Sequence, residues 1–259
     1  MPVGPAAADP GALELRARVH RALGDPHRLA IVDLLVAGDR TPGELADAVG
    51  LPSNLTAFHL GELEAAGVVA RRRSEGDGRR RYVRLLADEV AGVPIGAGRG
   101  GDVPPVRVLF VCTANQARSP LAAALWTALT GSPAESAGTR PAQAPHPLVV
   151  STARSLGLVL DPVGPRGLAS VSEAPDLVVS VCDRAREDGL PFGVPTLHWS
   201  VPDPVPVGAA AVEAVVRELE ARVRRLGALP PGSMSSDSGP QHRRAGQDAR
   251  DRRGQRSDP

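Results

Sequence analysis

A cysteine and an arginine six positions apart mark the segment with the clearest capacity for chemistry. Cys112 and Arg118 enclose a short loop, and Ser119 and Pro120 follow as residues that typically begin a helix. A loop before a helix N-terminus directs backbone N–H groups into one concavity, which binds a tetrahedral oxyanion. The same positive field favours the reactive thiolate of a cysteine beneath the anion. The predicted oxyanion-binding residues are Thr113, Ala114, Asn115, Gln116, Ala117, Arg118 and Ser119.

The elements around this loop are those that such a site needs. Residues 106–111 form a short apolar run, so Cys112 is expected at the end of a strand. A second apolar run ends at Cys182, and Asp203 follows between two prolines. An aspartate on such a loop can act as a general acid toward a leaving oxygen. The predicted catalytic residues are therefore Cys112, Arg118, Asp203 and Cys182, with a purely structural role for Cys182 left open.

Length and composition indicate two domains. A chain of 259 residues exceeds one average domain, and residues 91–105 are rich in Gly and Pro, as is typical of a linker. We predict one domain at residues 10–90 and a second at 106–229, where strands and helices alternate as in a parallel sheet. Residues 230–259 contain almost no apolar side chains and are predicted to be disordered.

The cysteine content, the apolar runs and the net charge of the chain exclude several classes of protein. With two cysteines the chain is not a disulfide scaffold, and a reducing cytoplasm is the expected location. No apolar run reaches the length of a membrane span, so no membrane partner is expected. The net charge of +1 does not by itself indicate nucleic-acid binding, although all 30 basic residues are arginine.

The first domain carries helix signals in close succession. Thr41 to Glu44 read as a capping box, and Gly50 as the end of that helix. Two short helices, at residues 42–49 and 53–66, form a predicted helix-turn-helix whose second helix would read DNA bases. Two strand-like runs around a Gly-rich turn then predict a β-hairpin rich in arginine. The predicted DNA-binding residues are Ser53, Asn54, His59, Arg71, Arg72, Arg73, Arg79, Arg80 and Arg81.

This first domain resembles the ArsR family of winged-helix repressors. The matching segments are residues 23–31 (LGDPHRLAI), 43–46 (GELA), 51–69 and the hairpin, and the likeness extends over about residues 12–88. The resemblance implies a homodimer on a double-stranded, palindromic operator. Metalloid-sensing members carry a cysteine pair on the helix at residues 42–49, whereas the first cysteine here is Cys112. No metal site is therefore predicted, and His20 and His27 are interpreted as structural.

The second domain resembles the low-molecular-weight protein tyrosine phosphatases, including their arsenate reductase branch. The likeness rests on Cys112, Arg118 and Asp203 and extends over about residues 105–229. Phosphatases of this fold carry aromatic residues after the Asp-Pro pair, whereas residues 205–208 here contain none. Cys182 stands where the reductase branch keeps a second redox cysteine. These features, with the ArsR-like neighbour, favour arsenate as substrate.

Two differences from the arsenate reductase family concern the reductant and a bound cofactor. Thioredoxin-coupled reductases have a third cysteine about seven residues after the second, where this chain has Gly189. Ala123 replaces an acidic residue that helps to bind potassium in some relatives, so no bound cofactor is expected. The resemblance implies a thiol reductant or redox partner: mycothiol, glutathione with glutaredoxin, or the thioredoxin system. The missing third cysteine favours an external small thiol, although Cys182 remains an alternative.

The sequence is also compatible with two other functions. The second domain could be a protein or small-molecule phosphatase, since Cys112, Arg118 and Asp203 serve that reaction equally. It could also be a non-catalytic sensor that binds an oxyanion and alters DNA affinity, which would account for the absent metalloid cysteines.

Overall fold

The computed structural model describes residues 10–86, 107–171 and 173–228. The predicted linker at 91–105 and the predicted tail at 230–259 lie outside these residues. The described chain forms two parts with separate hydrophobic cores, an N-terminal winged helix-turn-helix and a C-terminal α/β domain, as the sequence predicts.

The N-terminal part consists of four helices and a two-stranded sheet. The helices are α1 (Pro10–Leu23), α2 (Pro26–Ala37), α3 (Pro42–Val49) and α4 (Ser53–Ala65). Strands β1 (Val69–Arg73) and β2 (Arg81–Leu85) pair antiparallel, with Val69 opposite Leu85. We call residues 69–85 the wing and residues 74–80 its tip.

The predicted helix signals act as expected in this part. The Asp25 carboxylate accepts hydrogen bonds from two backbone N–H groups at the start of α2. Thr41 and Glu44 form the reciprocal capping box at the start of α3. Gly50 ends α3 with a φ of 67°, a left-handed conformation that glycine adopts without a steric penalty. The turn between α3 and α4 therefore has the geometry that the sequence predicts.

The C-terminal part is a four-stranded parallel sheet with flanking helices. In chain order it contains β3 (Val108–Cys112), α5 (Arg118–Thr130), β4 (Ala134–Gly138), α6 (Pro147–Ser155), a 3-10 turn (Leu168–Ser170), β5 (Leu177–Ser180), α7 (Asp183–Asp188), β6 (Thr196–His198) and α8 (Ala209–Gly227). The strand order is β4-β3-β5-β6, so the chain leaves β3 toward one edge of the sheet and later returns to the other side. Ligands of open parallel sheets bind at the carboxyl ends of the strands at such a reversal, here beyond β3 and β5.

The two parts pack directly against each other. Gly38, after α2, runs beside β6, and a Cβ atom added to it would lie 2.8 Å from the His198 carbonyl oxygen. The next residue, Asp39, donates its backbone N–H to that same oxygen at 2.7 Å. The Trp199 indole N–H donates to the Ala37 carbonyl at 2.9 Å, and the buried Tyr82 ring lies 4.4 Å from the His198 ring, centroid to centroid. These contacts place the wing next to the carboxyl end of the parallel sheet.

Among residues 10–86, 107–171 and 173–228, no helix combines the length and apolar character needed to span a membrane.

Candidate active site and DNA-binding surface

The Cys112 loop lies between β3 and α5, where the sequence predicts it. Cys112 is buried at the end of β3, and its sulfur lies 3.0 Å from the Ser119 hydroxyl oxygen. The Asn115 backbone N–H donates to the same sulfur at 3.2 Å. The Ser119 hydroxyl and the Asn115 N–H therefore both contact the Cys112 sulfur, the atom that would act as a nucleophile.

Asn115 holds the loop in its curved form. It is the one non-glycine residue with a positive φ in the described part of the chain, at 49°. Its side-chain amide donates to the Ser119 and Ser136 hydroxyls, each at 2.9 Å, and its amide oxygen accepts from the Arg166 backbone N–H at 2.9 Å. These buried hydrogen bonds compensate for the strained backbone.

Arg118 points its guanidinium toward the mouth of the loop. Its Nη1 donates to the Val201 carbonyl at 2.9 Å, and its Nη2 lies 3.5 Å from the Asp203 carboxylate. Burial opposes the charge of Arg118, but the nearby Cys182 and Cys112 sulfurs, with Asp203, raise its pKa above the usual value. The guanidinium is therefore permanently charged and is bound to groups that an oxyanion could replace.

Cys182 lies in the same pocket as Cys112. It caps the start of α7, where its sulfur accepts from the Ala185 backbone N–H at 3.4 Å, and it lies 3.4 Å from the Thr113 hydroxyl. Burial raises the pKa of the Cys182 thiol, the Arg118 guanidinium offsets part of this rise, and Cys112 adds to it. Both cysteines are free thiols. The structure thus brings together Cys112, Arg118, Asp203 and Cys182, the four residues predicted as catalytic.

One further side chain enters this pocket, and it comes from the wing. Glu75, at the wing tip, lines the pocket with its carboxylate 3.3 Å from Arg118 Nη1. The same carboxylate accepts from the Asp203 backbone N–H, with N–O distances of 3.1 and 3.2 Å. The sequence pattern did not identify Glu75 as a site residue, because no local signal shows which residue of a loop touches another domain.

The predicted DNA-binding residues fall into two groups. Ser53 and Asn54 are exposed at the N-terminus of α4, the position from which a recognition helix reads bases. Exposed arginines of the wing are Arg71, Arg73, Arg79, Arg80 and Arg81. Arg72 differs from these, because it donates to the Ser200 carbonyl at 3.2 Å and to Glu75 at 3.0 Å. In this arrangement Arg72 serves the contact between the two domains.

His59 is buried, which contradicts its predicted contact with DNA. Its ring is 5% exposed and packs between His27 and Phe58, with Nδ1 3.7 Å from the Asp25 carboxylate. The physical reason is helical periodicity: His59 lies on the inner face of α4 with Thr56, Leu60 and Leu63, all of them buried.

Comparison with known proteins supports both halves of this description. Residues 107–229 match the family model described as low molecular weight phosphotyrosine protein phosphatase, and residues 23–72 match a helix-turn-helix domain model. The HTH-type transcriptional repressor SmtB of Mycobacterium tuberculosis is 38% identical over 96 residues, which are 37% of this chain and 69% of the relative. The chain belongs to the ArsR/SmtB-type transcriptional regulators and carries a low-molecular-weight phosphatase-family domain.

Two further comparisons describe the extent of the likeness for this regulator. The HTH-type transcriptional regulator Rv0324 of the same species is 37% identical over 79 residues, and the chain spans only 34% of its length. The crystal structure of an arsenate reductase from Archaeoglobus fulgidus is 33% identical and aligns with 46% of this regulator and 98% of that chain, with a TM-score of 0.43.

Proposed function

We propose that this ArsR/SmtB-type regulator binds operator DNA as a homodimer and reduces arsenate to arsenite with its phosphatase-family domain. The observation that carries the enzymatic part is the shared pocket: two free thiols, Cys112 and Cys182, lie with Arg118 at the mouth of one oxyanion loop. A phosphatase reaction uses one thiol, whereas reduction of arsenate oxidises two.

The first step is attack of the Cys112 thiolate on the arsenic atom. Loop amides and Arg118 hold the remaining oxygens, so the charge that develops on them faces fixed donors. A sulfur–arsenic bond forms, and one oxygen leaves as water after it is protonated. Asp203, 3.5 Å from Arg118, is the candidate acid for that proton.

The second step transfers two electrons to arsenic. A second thiolate attacks the Cys112 sulfur, a disulfide forms, the sulfur–arsenic bond breaks and its electron pair leaves with arsenic. Arsenate and two thiols thus give arsenite, one disulfide and water. The attacking thiol is either Cys182 or an external small thiol such as mycothiol or glutathione. The raised pKa of the Cys182 thiol disfavours its thiolate, which favours the external thiol as the attacking group.

Phosphate-ester hydrolysis is the second candidate for the same residues. Cys112, Arg118 and Asp203 could form and hydrolyse a phosphocysteine. The pocket residues that follow Asp203 are Pro206 and Val207, so this side of the pocket offers no aromatic ring to stack on a phenol. This lining favours a small inorganic oxyanion over an aryl phosphate.

The DNA-binding part rests on the exposed N-terminus of α4 and the arginines of the wing. Leu13 and Leu15 on α1 are 56% and 43% exposed, which is consistent with apolar surface that a second copy would cover.

A parallel assay of the two reactions tests the enzymatic proposal. Wild type and Cys112→Ser would be supplied with arsenate plus a small thiol, and separately with p-nitrophenyl phosphate. We expect arsenite from the wild type alone and only slow ester hydrolysis. Rapid hydrolysis without arsenite would support the phosphatase, and arsenite from Cys112→Ser would overturn the role of Cys112.

A further inference from the structure

The Glu75 carboxylate occupies a position that suits the oxygens of a bound anion. It contacts the Arg118 guanidinium at 3.3 Å and the Asp203 backbone N–H at 3.1 Å. Arg72 adds a third donor from the wing itself, at 3.0 Å. A charged guanidinium group and backbone N–H groups are what proteins use to bind tetrahedral oxyanions. Glu75 thus accepts, from another domain, hydrogen bonds from Arg118 of the oxyanion loop and from the Asp203 backbone at the pocket entrance.

The wing tip is fixed to the catalytic domain on both sides of Glu75. The Glu75 backbone N–H donates to the Asp183 carboxylate at 2.8 Å, and its carbonyl accepts from the Arg184 guanidinium at 3.1 Å. The Glu187 carboxylate accepts from the Ser74 hydroxyl at 2.7 Å and from the Tyr82 hydroxyl at 3.1 Å. These contacts hold Glu75 in the pocket through its backbone as well as through its charge.

An oxyanion and Glu75 compete for the same donors. Both are negatively charged, and Arg118 is the buried guanidinium that faces both. Two anions side by side at one cation repel each other in a site that is partly shielded from water. Binding of arsenate or phosphate therefore requires the carboxylate to leave, and the wing tip to which it belongs has to shift with it.

The same tip segment contributes to the predicted DNA-binding surface. Ser74, Glu75 and Asp77 bond to residues of α7 in the docked form, which holds the tip of the wing against the phosphatase-family domain. Arg73 and Arg79, which flank this segment, are exposed in the docked form, so release of the tip changes their position and not their exposure. Docking of the tip therefore links the position of these wing arginines to the state of the pocket.

We propose that Glu75 is a built-in anionic competitor, and that the catalytic pocket is the effector site of the DNA-binding domain for tetrahedral oxyanions. An oxyanion displaces Glu75 and frees the wing tip from α7, and the affinity of the wing for DNA changes as a result. Because binding linkage is reciprocal, DNA changes the oxyanion affinity by that same factor. The inference rests on the oxyanion-binding part of the proposed function and is independent of whether arsenate is reduced.

Calorimetric titration of the full chain with inorganic phosphate tests this proposal. Glu75→Gln keeps the size of the side chain and removes its charge, so we expect phosphate to bind about tenfold more tightly than to wild type. Glu187→Gln, which weakens the anchor without touching the pocket, is expected to change affinity in the same direction. Glu220→Gln is the matched control, since Glu220 pairs with Arg224 on the exposed face of α8.

The outcomes separate the inference from the proposed function. Equal phosphate affinity in wild type and Glu75→Gln would overturn the competitor role while leaving the oxyanion site intact. Absence of phosphate binding in every variant would overturn both. Hydrogen exchange at residues 74–77 gives an independent readout: we expect saturating phosphate to speed exchange in the wild type, and unchanged exchange would contradict the release of the wing.

Discussion

Asp39 and Arg222 form a buried, bidentate ion pair that joins the two domains. The Arg222 guanidinium donates to the two Asp39 oxygens at 2.9 and 3.0 Å, and Asp39 also accepts the Ser200 backbone N–H at 2.7 Å. The two residues are 4% and 5% exposed. Burial opposes the charge of Arg222, but Asp39 and then Glu218 raise its pKa well above the usual value. A buried ion pair thus joins the winged-helix domain to the phosphatase-family domain.

Removal of the Asp39 carboxylate should destabilise the domain contact strongly. We expect Asp39→Ala to lower the free energy of unfolding by about 3 kcal/mol, because it leaves the buried guanidinium with only Glu218. Urea denaturation would measure this value. The double variant Asp39→Leu with Arg222→Met should recover most of the loss. Glu220→Ala, in an exposed pair, should cost no more than about 1 kcal/mol, and a similar small effect for Asp39→Ala would contradict the account.

Asn115 should control catalysis through the shape of the loop. We expect Asn115→Ala to lower kcat/KM for arsenate about 100-fold, since small displacements of reacting groups have effects of that size. The physical reason is the loss of the bonds to Ser119, Ser136 and Arg166 around a strained backbone. Initial rates of arsenite formation would measure the change. Asn54→Ala on the exposed start of α4 is the control, and equal rates for all three proteins would exclude the positioning role.

Much of the fold follows from local sequence signals. The bounds of α3 agree with the prediction at both ends, because the Thr41 capping box and Gly50 define them chemically. The loop from Cys112 to Ser119 was predictable because its function depends on a short contiguous segment. Cys182 and Asp203 lie far from Cys112 in the sequence and were linked to it by the family resemblance, and the structure places both in the pocket.

The rest depends on tertiary contacts that no local pattern encodes. In the sequence, Glu75 is an ordinary residue of a polar turn. Only the packing of the wing on α7 brings its carboxylate to Arg118. His59 is predicted as a DNA contact from its place in the recognition helix, whereas the periodicity of α4 buries it on the same face as Thr56, Leu60 and Leu63. Arg72 was assigned to DNA with its neighbours, whereas the alternation of β1 directs it toward Ser200.

The exposed arginines of the wing should contribute electrostatic affinity for DNA. We expect Arg79→Ala and Arg81→Ala each to weaken binding to double-stranded DNA of random sequence and to reduce the salt dependence by about one phosphate contact. Fluorescence anisotropy at several salt concentrations would measure both quantities. Arg224→Ala removes an exposed arginine of α8 and serves as the control. A comparable loss of affinity in this control would show that overall charge, and not the wing, determines binding.

The thiol of Cys182 should ionise at higher pH than an ordinary cysteine. In Cys112→Ser it is the only cysteine of the chain, so the ultraviolet absorbance of the thiolate reports it alone. Burial raises its pKa, and we expect a titration midpoint above the usual value of about 8.5. If Cys182 resolves the arsenylated enzyme, arsenite release without added thiol should accelerate as pH rises toward that midpoint, because the thiolate fraction grows. A midpoint below the usual value would contradict the effect of burial.

A single-turnover experiment tests the central claim most directly. Reduced wild-type protein would be mixed with excess arsenate, with and without a small thiol, and arsenite and the intact protein mass would be measured together. The account predicts about one arsenite per chain when the thiol is present, with either a thiol adduct at Cys112 or a Cys112–Cys182 disulfide. Unchanged mass and no arsenite under both conditions would contradict the assignment of Cys112, Arg118 and the second thiol to arsenate reduction.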